Sequence, residues 1–238
     1  MAKRNKTIVF LFLCSAGIMV ITFIASCGKS GNTAPSGSNV QMQVINLSPD
    51  LLAVNLWVSY VKQNRIPYTY PNPSGYFTLG NIDTPIQIRS YFASVSTTNL
   101  ISLNTILKPN LKYTLFVTGL RADSSVTSIF TVDTAAAPTI GRGKIRFVNA
   151  SPRSNALDIT ANGTLAFINQ IYKKPSKFIE VPPGNYDFKI MQTGTTANIL
   201  ADMPGVTVLD GKIYTLYCYG VSGGADSVAF HAGILSNK

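Results

Sequence analysis

The chain has 238 residues, 46% apolar and 13% charged, enough to bury real cores and unlike a disordered or coiled-coil sequence. Three cysteines exclude a disulfide scaffold or zinc knuckle, and a lone histidine, His231, excludes a multi-histidine metal site and leaves no base for a hydrolytic triad built on histidine elsewhere. The net charge of +10 falls to +7 once Lys3, Arg4 and Lys6 are set aside, since 17 of the 20 basic residues follow Ser26 together with all 10 acids.

The chain opens with the basic head MAKRNK, the apolar run TIVFLFLCSAGIMVITF and the small-residue close Ile24-Ala25-Ser26-Cys27. This order of charge, apolar run and small residues is that of a secretory signal. Its close resembles a bacterial lipobox, which implies cleavage before Cys27 and a lipid anchor on that thiol; Ile24 stands where Leu is commoner. Leu13 and Phe12 are too large to make Cys14 a competitor. An uncleaved membrane helix is the alternative, the run from Thr7 to Ala25 being near the roughly 20 residues needed to span a bilayer. Residues 28–39, GKSGNTAPSGSN, read as a flexible leash. Gly28 rather than Asp after the cysteine resembles lipoproteins sorted to an outer membrane. The expected location is therefore the cell envelope, with the membrane as partner through Cys27.

After the leash the chain repeats itself. Val44-Ile45-Asn46-Leu47-Ser48-Pro49 recurs as Phe147-Val148-Asn149-Ala150-Ser151-Pro152 at an offset of 103. Ser74-Gly75-Tyr76-Phe77 pairs with Ser176-Lys177-Phe178-Ile179 at 102, and Asn110-Leu111-Lys112-Tyr113-Thr114-Leu115, with Gly119, pairs with Gly211-Lys212-Ile213-Tyr214-Thr215-Leu216, with Gly220, at 101. The expected layout is a signal over 1–27, a leash over 28–39, repeats over 40–133 and 143–238, and a linker, TAAAPTIGR, over 134–142.

Within each repeat the hydrophobic period is two. Tyr186, Phe188 and Ile190 alternate with Asp187 and Lys189, which predicts a half-buried strand. The same alternation sets Tyr214, Leu216 and Cys218 on one face, matching Tyr113, Leu115 and Val117, and makes Cys218 a buried small hydrophobe. Pro182-Pro183-Gly184-Asn185 and Leu209-Asp210-Gly211-Lys212 carry turn chemistry. No stretch after residue 39 shows an amphipathic helix. Short strands at this spacing predict an all-β chain of two tandem immunoglobulin-like β-sandwich domains; a Cys-Trp-Cys arrangement of the antibody type is absent.

These residues together suggest a family. The Asn-x-Ser-Pro opening, the Val181-Pro182-Pro183-Gly184-Asn185-Tyr186 turn and the Gly211-Lys212 to Gly220 segment resemble the bacterial extracytoplasmic domain of unknown function family 4397. In the first repeat Leu79-Gly80-Asn81-Ile82 replaces the Pro-Pro-Gly turn. The resemblance implies tandem β-sandwich modules in a secreted or lipid-anchored protein and brings no catalytic residue.

Candidate sites are few. The two Asn-x-Ser-Pro segments read as strand ends, proline forcing an extended serine and asparagine bonding loop backbone. Glu180, the only glutamate, with Asp187 or Asp202 makes no glycosidase motif; no Gly-x-Ser-x-Gly elbow occurs; Asp123, Asp133, Asp158 and Asp226 are too scattered for a calcium loop. Lys173, Lys174 and Lys177 read as a solvated loop rather than a nucleic-acid patch. Aromatics offer the sharper hypothesis: Trp57, outward beside inward Val54, Leu56 and Val58, with Tyr68, Tyr70 and Tyr76 in a proline-rich loop, as a platform for a sugar or peptide. The plainer alternative has these rings covering a sheet face or the junction between repeats. Asp133-Thr134-Ala135 resembles a short O-glycosylation acceptor in an exposed linker. The expected function is a non-catalytic binding or structural module without metal or cofactor, its ligand a protein or a glycan, with carbohydrate binding in a glycan-uptake system as the alternative.

Overall fold

Seventeen strands and one short 3₁₀ turn, Asp226–Val228, make up the regular structure of the residues that the computed structural model describes, 39–91, 98–195 and 198–237. The signal segment, Cys27 and leash residues 28–38 lie outside them. The first nine strands are β1 (Gln41–Asn46), β2 (Ala53–Val58), β3 (Val61–Lys62), β4 (Tyr68–Thr69), β5 (Phe77–Thr78), β6 (Ile86–Ser90), β7 (Asn99–Leu103), β8 (Lys112–Thr118) and β9 (Thr127–Val132). The rest are β10 (Gly143–Asn149), β11 (Leu157–Ala161), β12 (Thr164–Gln170), β13 (Ile179–Val181), β14 (Gly184–Gln192), β15 (Ile199–Val208), β16 (Ile213–Tyr219) and β17 (His231–Ser236).

Two sheets serve each half of the chain, and their orders correspond strand for strand. β5-β1-β8-β9 matches β13-β10-β16-β17, and β3-β2-β6-β7 matches β12-β11-β14-β15, with β4 an extra partner of β2. In both copies the opening strand runs parallel to the penultimate one, Val44 beside Leu115 and Phe147 beside Leu216. The chain is therefore all-β, a tandem of immunoglobulin-like sandwiches, as the period of two predicts.

Alternation fills each sandwich. Met42, Val44, Tyr113, Leu115 and Val117 of one sheet meet Val54, Leu56, Val58, Ile86 and Ile88 of the other. Ile145, Phe147, Tyr214, Leu216 and Cys218 meet Leu157, Ile159, Phe188 and Ile190 in the second copy. Each fully buried side chain of this size contributes about 1.5–3 kcal/mol of transfer free energy.

The repeated motifs close these sandwiches by the same bonds. Ser48 Oγ donates to the Gly119 carbonyl at 2.8 Å, and Ser151 Oγ to the Gly220 carbonyl at 2.7 Å. Asn46 and Asn149 each accept the amide two residues on, at 3.2 and 3.1 Å, which fixes the turn into proline. Gly119 and Gly220 sit at φ +89° and +76°, and a Cβ there would lie 2.2 Å from the Ser125 carbonyl oxygen and 1.9 Å from that of Ala229. Only glycine fits. The motif tyrosines make a corner: Tyr113 Oη accepts from the Lys108 amide at 2.8 Å and Tyr214 Oη from the Leu209 amide at 3.2 Å, each five residues upstream.

The central strands depart from the half-buried expectation. β1, β8, β10 and β16 are buried on both faces. Their second faces, through Ile45, Leu47, Phe116, Val148, Ala150 and Tyr217, form a third apolar cluster between the copies, joined by Ile129 and Leu235. Phe116 and Tyr217, equivalent by the repeat, meet with ring centroids 5.9 Å apart. Residues from Ser38 onward thus form one compact unit of four stacked sheets.

A polar network seals one margin of this junction. Arg146, on β10, forms a buried ion pair with Asp133, which follows β9. Asp133 also accepts from Thr131 Oγ1 at 2.9 Å, Thr114 Oγ1 at 2.5 Å and Tyr76 Oη at 2.7 Å. Arg146 donates further to Thr215 Oγ1 at 2.9 Å and the Val132 carbonyl at 2.8 Å. Asn237 joins Thr215 at 2.7 Å to Tyr76 at 2.9 Å. A buried ion pair persists only when such bonds replace the lost water.

Candidate functional site

With the inner faces consumed by the junction, the outer sheets offer the free β surfaces. On the first, Trp57 of β2 stands directly across from Gln87 of β6, and Asn55 across from Arg89. Trp57 is half-buried rather than open, because the Arg89 guanidinium lies over its ring, 4.3 Å from the centroid. Such stacking is worth about 0.5–2 kcal/mol. Gln87 Oε1 accepts from Arg89 at 2.7 Å, and Asn55 Oδ1 accepts from Asn64 at 3.0 Å. Two donors on this face, Trp57 Nε1 and Arg89 Nε, are buried without a partner. Unpaired donors of this kind cost free energy and mark places where an acceptor is missing.

The second copy carries Thr160 where the first has Trp57, and Met191 where the first has Arg89. The smaller side chains leave a groove of about 580 Å³, walled by Leu165, Met191 and Ile199 and floored by Thr160, with Lys189 and Asp158 at its edge. Burial pushes the Asp158 carboxyl up, but hydrogen bonds from the Asn169 amide, Thr193 Oγ1 and the Gly194 amide outweigh it and hold the group below its ordinary range. Asp158 therefore acts as an ionised clamp between β12 and the turn after β14. Lys189 sits 3.8 Å from Asp202.

The structure separates the other aromatics proposed with Trp57. Tyr68 packs on the first core and stacks with Phe77 at 6.4 Å. Tyr70 turns its edge to Tyr219 of the other copy at 5.8 Å, and Tyr76 is held by Asp133 and Asn237. Tyr70 and Tyr76 thus lie against the second repeat and cover the junction, while Tyr68 covers the first core. Cys27 lies outside the described residues. In the acceptor-like Asp133-Thr134-Ala135, Thr134 is exposed with its Oγ1 accepting the Lys112 amide at 2.8 Å, while Asp133 is buried in the network.

Cys218 is fully buried, its thiol pushed up to about 12 by desolvation and donating to Asn149 at 3.3 Å. Lys173, Lys174 and Lys177 are exposed along the loop before β13. Among the described residues no group of three or more His, Cys, Asp or Glu could hold a metal, and no helix is long and apolar enough to cross a membrane. Arg89 and the groove residues carry no local motif. Setting the copies in register by the offset pairs Trp57 with Thr160; carried on to β6 and β14, the same register pairs Arg89 with Met191.

Tandem β-sandwiches closed by the Asn-x-Ser-Pro to glycine bond define the class of module. The family model for the domain of unknown function DUF4397 matches residues 38–160 and 143–232, so the chain belongs to that family and carries the domain twice. The first match runs on through the opening motif of the second copy. No curated protein matches the chain.

Proposed function

We propose that the chain is a lipid-anchored cell-envelope protein whose two fused sandwiches act as a non-catalytic binding or structural module. The observation that carries this reading is the buried junction, which turns two domains into one stiff block with outward faces at either side. A rigid block displaying sheet faces suits presentation and contact rather than chemistry. The N-terminal charge pattern and the Ile24-Ala25-Ser26-Cys27 close support an anchor at Cys27, on an outer membrane since Gly28 follows. Acyl chains contribute about 0.8 kcal/mol per buried methylene, so several on one cysteine hold the block without a protein span. Mass spectrometry of the mature N-terminus tests the anchor: an acylated Cys27 is expected, and an uncut or unmodified terminus overturns it.

The carbohydrate reading draws on one observation, the pair of unpartnered donors at Trp57 and Arg89. Sugar hydroxyls supply acceptors and an indole supplies a stacking face, which here requires the Arg89 guanidinium to swing off the Trp57 ring. Glycan-array binding that is lost on Trp57→Ala supports it. Binding that survives that change, or none at all, removes it.

A further inference from the structure

Both ends of the body carry exposed apolar side chains, Leu52 at 74%, Tyr91 at 44% and Ile171 at 47% at the far end, and the leash joins the other end. Gln41 opens β1 by donating its amide to Leu111 at 3.1 Å, and Lys112 reaches the Asn237 carbonyl at 3.3 Å, so the starts of both copies lie together. In the second copy Lys144 donates to Lys212, and Gly211 to Arg142, both at 2.9 Å. Asn39 and the turns near residues 106–111, 139–142 and 209–212 therefore share one end. Three apolar side chains protrude there, Ile106 at 82% exposed, Ile140 at 97% and Leu209 at 52%. Each is followed two or three residues on by an exposed cation: Lys108, Arg142 and Lys212. None of these cations forms an ion pair among the described residues, while the nearby Asp210 carboxylate is tied to the Gly141 amide at 2.9 Å.

Exposed apolar tips occur at both ends and single ones need no explanation; what sets this end apart is that each of its three tips has a cation two or three residues on and that the leash enters here. An apolar tip next to a lysine or arginine is the arrangement that enters a bilayer interface, the tip reaching the acyl boundary and the cation meeting phosphate. The position of the leash selects the occupant. Gly28 to Asn39 is twelve residues rich in Gly, Ser and Asn, a length over which a linker of such composition has an end-to-end distance of roughly 20 Å. The far end, where Leu52 is 74% exposed, stands beyond β1, which at about 3.3 Å per residue adds roughly another 20 Å. A short tether also holds this end at an effective concentration of order millimolar, so weak interfacial affinity suffices.

We propose that this end rests on the phospholipid headgroup layer that holds the anchor, Ile106, Ile140 and Leu209 entering the interface and Lys108, Arg142 and Lys212 meeting lipid phosphates. The proposal rests on the lipoprotein reading and adds an orientation to it. The body then stands with its strands rising from the bilayer and both outer sheets accessible from the side.

The test uses the full acylated chain in vesicles of phosphatidylethanolamine and phosphatidylglycerol with brominated acyl chains. An environment-sensitive fluorophore is attached at Ile140→Cys or, as the far-end control, at Leu52→Cys; buried Cys218 stays unlabelled. Quenching at position 140 several-fold above that at position 52 is the expected result. Equal quenching, or more at position 52, overturns the orientation while leaving the anchor intact. A chain that does not sediment with the vesicles overturns both.

Discussion

Asp133 and Arg146 show how one pair of residues can set the register of two domains. The repeat aligns Gln43 with Arg146, and Asp133 with Asn237, so the copies present a neutral pair and a charged pair to each other across the junction. Asp133→Ala leaves the Arg146 charge buried beside three hydroxyl and carbonyl partners, and is expected to cost about 3–5 kcal/mol in urea unfolding. Replacing both, Asp133→Leu with Arg146→Met, should cost far less, because no charge is stranded. If the single change costs under about 1 kcal/mol, the range of an exposed pair, the network is not a junction lock. Burial also lifts the Tyr68 and Tyr217 phenols from 10.0 to about 12 and the Cys218 thiol from 9.0 to about 12. These groups keep protons in the folded chain that the unfolded chain has already lost. Their contribution is intact below about pH 9 and declines as pH rises towards 12. Ionisation of all eleven tyrosines well below pH 12 without loss of structure would contradict that burial.

At the scale of single elements, the repeated glycines are the sharpest constraint. Gly220→Ala puts a methyl 1.9 Å from the Ala229 carbonyl oxygen at φ +76°, and a loss of more than about 1 kcal/mol is expected from chemical denaturation. A neutral result would mean that the loop after β16 relaxes freely and that the serine-to-glycine bond is dispensable. Much at this scale was legible. Alternation at Tyr186, Phe188 and Ile190 gives the inward face of β14, and the Asn-x-Ser-Pro offset gives the correspondence of every sheet. The second face of β8 and β16 was not, because Phe116 and Tyr217 in a strand of period two look the same whether water or another sheet lies beyond them. The partners of the tyrosines in the proline-rich loop were not legible for the same reason: the sequence offers a ring platform or a cover for the junction, and nothing local to Tyr70 or Tyr76 announces Tyr219 or Asn237, which are remote in sequence. Trp57 kept its outward face, but its cover, Arg89, comes from a different strand.

For the whole molecule, the consequence is mechanical unity. Two sandwiches joined only by residues 134–142 would swing independently, yet here β1, β8, β10 and β16 surrender both faces to protein, and separating the copies exposes Ile45, Phe116, Val148 and Tyr217 together. That leaves the outer sheets and the turn ends for encounter, and gives the Trp57 face and the groove beside Thr160 fixed positions on one block. The chain supplies one reporter in each copy. Trp57 is the single tryptophan and lies in the first, while Cys218 is buried in the second. Following urea unfolding through Trp57 fluorescence and, in parallel, through the reactivity of Cys218 tests the unity directly. A single body predicts coincident midpoints and one common slope; a Cys218 transition well separated from that of Trp57 would mean that the two copies unfold as independent domains.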